Sequence, residues 1–437
     1  MSALPKAHGI SVLQALKASR DPEGFFAACE ARSGDPFCVA LPGVGPLYLS
    51  GHPDGAKELF RADPATFIPV LPNPVEALLG PGSLILLKGA RHRRERKLLA
   101  PPFHGRRMKA YGDSMRGLAE QAVAECTEGA VIDARQLAQS LTLLVIIHAI
   151  FGVTEPAQVQ RVLHAIEATT VRYSGMLALV PAARFKLFGA SPWDRFQKAA
   201  GHLDDVLREE IRARSGTEPG EDILSLLLGL RYEDGTAMHE DALVDELRTM
   251  LVAGHETAAT ALSWALGYVH HDARVLHRLR TELEGDGEAY LEAVCKEALR
   301  RHPAVPIVLR RLTRDWTFRG LPIPAGASVG LALTRLHTRP DTWARPLAFY
   351  PEHFLERTYT PFEYAPFGGG TRRCVGAAFA SFELRVLLGT LLREGQFEAA
   401  GPLPAPVTAS ITMAPGAPIP LRFLGRPTRL CDPAEDA

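Results

Sequence analysis

The chain carries no excess of charge of either sign: 49 lysines and arginines balance 49 aspartates and glutamates. Nothing global therefore draws it to nucleic acid or anionic lipid, and a charged partner must meet a local patch. Cysteine is scarce as well. The six residues Cys29, Cys38, Cys126, Cys295, Cys374 and Cys431 are scattered without a C-x-x-C pair, which excludes a disulfide framework and a cysteine-clustered zinc or iron–sulfur site. A cysteine that binds metal here does so as a lone protein ligand. The N-terminal stretch "MSALPKAHGISVLQALKASRDPEGFF" lacks an apolar segment followed by a small-residue cleavage site, and no run is read as reaching the roughly 18 apolar residues of a membrane span. The expectation is a cytoplasmic protein with no membrane anchor. Internal repeats and low-complexity tracts are also missing, while a 46% hydrophobic composition over 437 residues supplies a large core.

Proline is plentiful, but none stands between Pro219 and Pro303. Because proline breaks helix interiors, that gap is where long helices can run. Within it, "EDALVDELRTMLVAGHETAATALSWALGYVHHD" sets Leu243, Leu247, Met250, Leu251, Gly254, Ala258, Ala261, Leu262 and Ala265 at three- and four-residue spacing, which predicts one long helix with an apolar stripe. Its middle, Ala253 to Ala261, is unusually small, admitting something close to the backbone. "QLAQSLTLLVIIHAIFGV" and "ASPWDRFQKAAGHLDDVLREEIRARSG" read as helices too, and "DPFCVALPGVGPLYLSG" as strand-like patches between glycine turns. After Pro303 the segments are short and bounded by turns. The fold class is mainly α with small β-sheets; a doubly wound parallel sheet would need a regular strand–helix alternation that is missing.

Three chemistries compete for the stretch "YAPFGGGTRRCVGAAFASFELRVLLGTLL", Tyr364 to Leu392. A phosphate cradle would need G-x-x-x-x-G-K-[ST] or G-x-G-x-x-G spacing after a strand, which is not there. A nucleophilic Cys374 would need a matched base, and the neighbouring sequence offers arginines, although distant histidines leave that reading open. A thiolate ligand explains more. Phe367, Gly370, Arg372, Cys374 and Gly376 form F-x-x-G-x-R-x-C-x-G, with glycines for tight turns around the sulfur and a helix from Ala377 just beyond it. A helix N-terminus and arginines both favour the thiolate. These residues resemble the signature of the haem-thiolate monooxygenases, the cytochromes P450, in which the cysteine is the axial ligand of haem iron and favours O–O cleavage.

Other segments carry the same resemblance. "KEALRRHP" places Glu297 and Arg300 as E-x-x-R on one helical face, similar to the family's structural ion pair. In "FYPEHF" His353 stands where the family usually has an arginine that joins the pair. "GARHRRERKLL" puts His92 and Arg96 four apart on one face of a helix, like the segment that grips a haem propionate. "VLRRLTRD" aligns Arg310 with a second propionate-binding arginine, with Arg311 as competitor. "AGHET", Ala253, Gly254, His255, Glu256 and Thr257, resembles the oxygen-activation motif. There a threonine hydroxyl bonding the Ala253 carbonyl would loosen the helix, and the pair Glu256 and Thr257 would relay protons to dioxygen.

The resemblance, from His92 to Gly376, implies one cytochrome P450 haem domain over 1–437. It implies haem b as cofactor, with Cys374 as metal ligand and His92, Arg96, Arg310, Arg372, Phe367, Gly370 and Gly376 around it. The expected partners are O2, an apolar substrate of fatty acid, terpenoid or steroid type, and a separate ferredoxin or flavodoxin with its reductase. That donor would meet a basic face of Arg91, Arg93, Arg94, Lys97, Arg372 and Arg373. A monomer is expected. The rival readings are a peroxide-using haem peroxygenase and a haem sensor or carrier without turnover. Expected pocket walls are 66–80, Met250 to Gly254, "AVPIVL" and "SITMAPGAPI".

Overall fold

Where proline is missing, helices dominate: Ile223–Gly229, Glu240–His271, Ala273–Leu283 and Ala289–Arg301 follow one another in the computed structural model. The structure describes residues 4–7, 11–41, 45–70, 73, 75–103, 105, 107–152, 155–216, 220–285, 287–409 and 411–427; Cys431 lies outside them. The long helix Glu240–His271 has 32 residues, about 48 Å at 1.5 Å per residue. Glu240 and Asp241 in its first turn complement the helix dipole. Asp272 then caps the next helix, accepting from the backbone N–H of Arg274 and Val275 at 3.0 and 3.2 Å. The predicted apolar stripe is buried along its length except at Gly254, which is half-buried.

The helix Ala134–Phe151 packs against this long helix. It is 18 residues long and apolar enough to cross a membrane by length and composition, against the expectation that no run reaches that length. Its side chains Leu141, Val145, Ile146, Ile147 and Phe151 are instead buried in the main hydrophobic core, shared with the C-terminal helix Ala377–Glu394.

The strand-like patches become Phe37–Leu41 and Gly45–Ser50. They join a five-stranded sheet in the order Phe37–Leu41, Gly45–Ser50, Ser328–Ala332, Ile307–Leu312, Phe67–Ile68. Only Gly45–Ser50 against Ser328–Ala332 is parallel in that sheet. The pairing of Ile307–Leu312 with Ser328–Ala332 sets Arg310 opposite Val329 and Arg311 opposite Ser328. Since strand side chains alternate between faces, only one of the two arginines can turn toward the cysteine loop.

Candidate active site

The cysteine loop closes on itself before the C-terminal helix starts. The Cys374 backbone N–H donates to the Phe367 carbonyl at 3.0 Å, and Arg373 N–H to Gly370 at 3.1 Å. Gly370 has φ +65°, and a Cβ there would stand 2.5 Å from the Phe60 carbonyl oxygen, so glycine is required twice over. Gly376 has φ −87°, and a Cβ there would meet nothing within 4 Å; the surrounding protein does not demand its smallness. Its backbone N–H instead bonds the Cys374 sulfur and favours the thiolate, as do Arg373 and Arg96. Burial is the larger effect and raises the thiol, although the side chain keeps accessible surface.

Beside the loop lies a cluster of three arginines, Arg96, Arg310 and Arg372, around the imidazole of His92. The basic helix Gly89–Leu99 holds His92 buried and Arg96 half-buried. Burial, followed by Arg372, Arg96, Arg310 and Arg93, drives His92 down to about 4. Burial also lowers Arg310 and Arg372 to about 10, with Arg372 depressing Arg310 and Arg96 depressing Arg372. His92, Arg310, Gly369, Gly370 and Arg372 line a common cavity of about 30 Å³. Arg310 rather than Arg311 is thus the arginine that faces the loop. Arg372 also braces the site, donating to the Leu84 and Ile85 carbonyls at 3.4 Å and to the Leu87 carbonyl. Among the described residues no carboxylate forms an ion pair with Arg96, Arg310 or Arg372.

On the long helix, residues 252–257 are half-buried. The Thr257 hydroxyl donates to the Ala253 carbonyl at 2.7 Å, yet the α-helix runs through without interruption. The predicted loosening does not occur, because this segment is held from the side. A Cβ at Gly254 would come 3.1 Å from Ile146, and the Thr142 hydroxyl lies 3.3 Å from the His255 carbonyl. Gly254 therefore allows the two helices to pack closely, while the segment around it stays half-buried. Burial pushes the His255 imidazole down, opposed by Glu256 and by a bond to the Gln139 backbone. Glu256 has no ion-pair partner among the described residues.

The Glu297–Arg300 pair is fully buried. Arg300 donates from Nε and Nη2 to the two carboxylate oxygens, each at 2.7 Å, and to the carbonyls of His337, Pro346 and Ala348 at 2.6, 2.8 and 2.8 Å. All five guanidinium N–H groups are used. Glu297 also accepts from the Tyr350 N–H at 2.7 Å. His353 joins despite replacing arginine: Nδ1 lies 3.3 Å from Glu297, while Nε2 accepts from the Arg345 N–H at 3.4 Å. That pattern is the Nδ1–H tautomer.

Comparison with known proteins gives this arrangement its family. The cytochrome P450 family model matches residues 8–416. The chain belongs to the cytochrome P450 family. It is 31% identical to cytochrome P450 135A1 of Mycobacterium tuberculosis over 92% of this chain and 91% of that one. It is 34% identical to cytochrome P450 137 of the same organism, over 91% and 84%. A cyanobacterial cytochrome P450 structure with retinoic acid bound, CYP120A1, superposes with a TM-score of 0.83 at 25% identity, covering 96% of this chain and 99% of that one. As a P450 the chain is a haem monooxygenase, an oxidoreductase with haem b as cofactor. The residues fit that group. A cluster of cations with no acid of its own suits the two propionates, and an accessible lone cysteine suits the iron.

Part of the expected basic face of this P450 is not free. Arg94 pairs with Asp234 at 3.0 Å and Lys97 with Glu233 at 2.5 Å, while Arg372 is committed to the carbonyls named above. Arg91, Arg93 and Arg373 remain exposed. Among the expected pocket walls, Met413 and Ile419 are buried in packing, with Met413 bonded through its backbone to Ala304 and Trp264. Leu71, Pro72, Pro74 and Ser410 lie outside the described residues. Sequence reasoning missed Phe60, the Leu84–Leu87 carbonyls, Thr142 and Ile146. Each acts through a contact between distant segments and carries no local signature.

Proposed function

We propose that this P450 hydroxylates an apolar organic molecule of fatty acid, terpenoid or steroid type, working as a single haem domain in the cytoplasm with electrons from a separate ferredoxin or flavodoxin. The observation that carries the reading is the uncompensated cluster His92, Arg96, Arg310 and Arg372 at the Cys374 loop. When bound, the haem supplies dioxygen reduction and oxygen transfer, with a thiolate ligand favouring O–O cleavage. The protein's own residues divide the remaining work. Cys374 would bind the iron as thiolate; the Gly376 N–H, Arg373 and Arg96 favour that form, but burial outweighs them, so the sulfur would be held ionised by its bond to the metal. The four basic side chains hold the propionates, and Arg372 ties them to the segment before the basic helix. Thr257 spends its hydrogen on Ala253, so its oxygen is left free to accept a hydrogen bond from a proton donor. Glu256, half-buried and unpaired among the described residues, supplies that proton from solvent.

An apolar substrate is supported by the half-buried side chains Ile68, Val252 and Val308, the last on the same strand face as Arg310, and by the retinoic acid in the cyanobacterial relative. Titrating the holoprotein with fatty acids, terpenoids and steroids while watching the Soret band tests the assignment. A spin-state shift with one of these classes, followed by an oxygenated product and O2 consumption with a ferredoxin system, is expected. Shifts confined to small polar compounds would refute it.

A further inference from the structure

The turn before the long helix grips the basic helix at three points. Tyr232 to Thr236 forms a tight loop, with the Gly235 N–H donating to Tyr232 and the Tyr232 N–H to Thr236, both at 2.9 Å. The Tyr232 hydroxyl donates to buried Glu95 at 2.6 Å, and the Arg94 guanidinium lies 3.7 Å over the Tyr232 ring. Asp234 and the Thr236 hydroxyl take Arg94 at 3.0 and 3.1 Å, while Glu233 takes Lys97 at 2.5 Å. The grip has two unlike halves. The Tyr232–Glu95 bond is largely shielded from salt by Glu95's burial, whereas Glu233 and Lys97 are 85% and 76% exposed. Ion pairs that exposed contribute little and are readily exchanged.

The helix so covered is the one whose other positions, the neutral imidazole of His92 and the Arg96 guanidinium, belong to the basic cluster at Cys374. It carries five cations, Arg91, Arg93, Arg94, Arg96 and Lys97, against one acid that is buried. Two adjacent carboxylates on a turn are thus the ligand this face already accepts from its own chain.

We infer that the Glu233–Asp234 turn occupies, in place of an acidic electron-donor protein, a docking surface formed by Arg94 and Lys97 with Arg91, Arg93 and Arg373. The donor's carboxylates exchange with those of the turn, which stays anchored through Tyr232. This rests on the proposal that a separate acidic protein delivers the electrons. Exchange instead of simple addition weakens donor binding and lowers its salt dependence, because two of the cations are neutralised beforehand.

The test uses the holoprotein and, as probe, an acidic plant-type [2Fe–2S] ferredoxin, with Kd measured across a salt series. Glu233→Gln combined with Asp234→Asn should tighten binding by about three- to tenfold at low salt and steepen the salt dependence. Arg94→Gln with Lys97→Gln should change the wild-type Kd little and should cancel the gain in the Glu233→Gln, Asp234→Asn background. Unchanged or weaker binding after removal of the two acids overturns the inference. Arg91→Glu with Arg373→Glu separates the two levels. If it weakens binding while removal of the acids does nothing, the turn is no competitor but the donor face stands. If it changes nothing, or no variant binds the ferredoxin, both readings fail.

Discussion

Removing the Arg300 side chain should cost the protein its haem-binding fold. In Arg300→Ala, Glu297 would remain fully buried with only the Tyr350 N–H and His353 to meet its charge, and breaking a buried pair in this way costs about 3–5 kcal/mol. The His337 carbonyl, in a residue with no exposure, would lose the donor that Arg300 provides at 2.6 Å, adding about 1–3 kcal/mol. The Pro346 and Ala348 carbonyls lie nearer the surface and can find water, so they add less. The loss of roughly 5 kcal/mol or more is comparable with the whole stability of many domains, about 5–15 kcal/mol. Arg300→Lys keeps the charge but offers three donors on one nitrogen in place of five in a planar fork, and should cost about 2–3 kcal/mol. Urea denaturation followed by far-UV circular dichroism, with haem content measured on the purified protein, reads both effects. An Arg300→Ala protein that binds a full complement of haem and unfolds within about 1 kcal/mol of wild type would refute the reasoning.

His353→Arg should retain fold and haem: arginine can donate to Glu297 but cannot accept the Arg345 N–H, so the net change in urea stability should stay under about 1 kcal/mol. Haem loss equal to that of Arg300→Ala would contradict this. Thr257→Ala should uncouple rather than silence turnover, with nicotinamide oxidation continuing while hydrogen peroxide rises and product falls; a variant with wild-type coupling would reduce Thr257 to a packing residue. Burial lifts the Glu246 carboxyl to about 8, so the native state holds a proton that the unfolded chain has released above about 4.5. Its contribution makes stability fall as pH rises from about 4.5 to about 8. Glu246→Gln should therefore match wild type near pH 4.5 and exceed it at pH 8 by on the order of a few kcal/mol; parallel stability–pH curves would be the contrary result.

Elements dictated by local pattern were legible in the chain. The long helix was expected over "EDALVDELRTMLVAGHETAATALSWALGYVHHD" and spans Glu240–His271, because apolar periodicity and the missing proline act within the segment itself. The basic helix and the helix after Cys374 start where their motifs begin. What depended on a second segment was not legible. The small segment around Gly254 was expected to admit something close to the backbone, but that Ile146, more than a hundred positions away, packs against Gly254 itself could not be read. Arg310 and Arg311 could not be told apart until pairing with Ser328–Ala332 set their faces. The helix Ala134–Phe151 shows that an apolar run of spanning length can be a core element once it meets a long helical neighbour.

The identity of the iron's protein ligand is the point on which the account stands or falls, and the reduced carbon monoxide complex reports it directly. The wild-type protein should absorb at about 450 nm, the band from which the family takes its name. Cys374→His should load haem without that band. A wild-type complex with no band at about 450 nm, or a Cys374→His protein that keeps it, would mean that a thiolate from Cys374 is not the ligand.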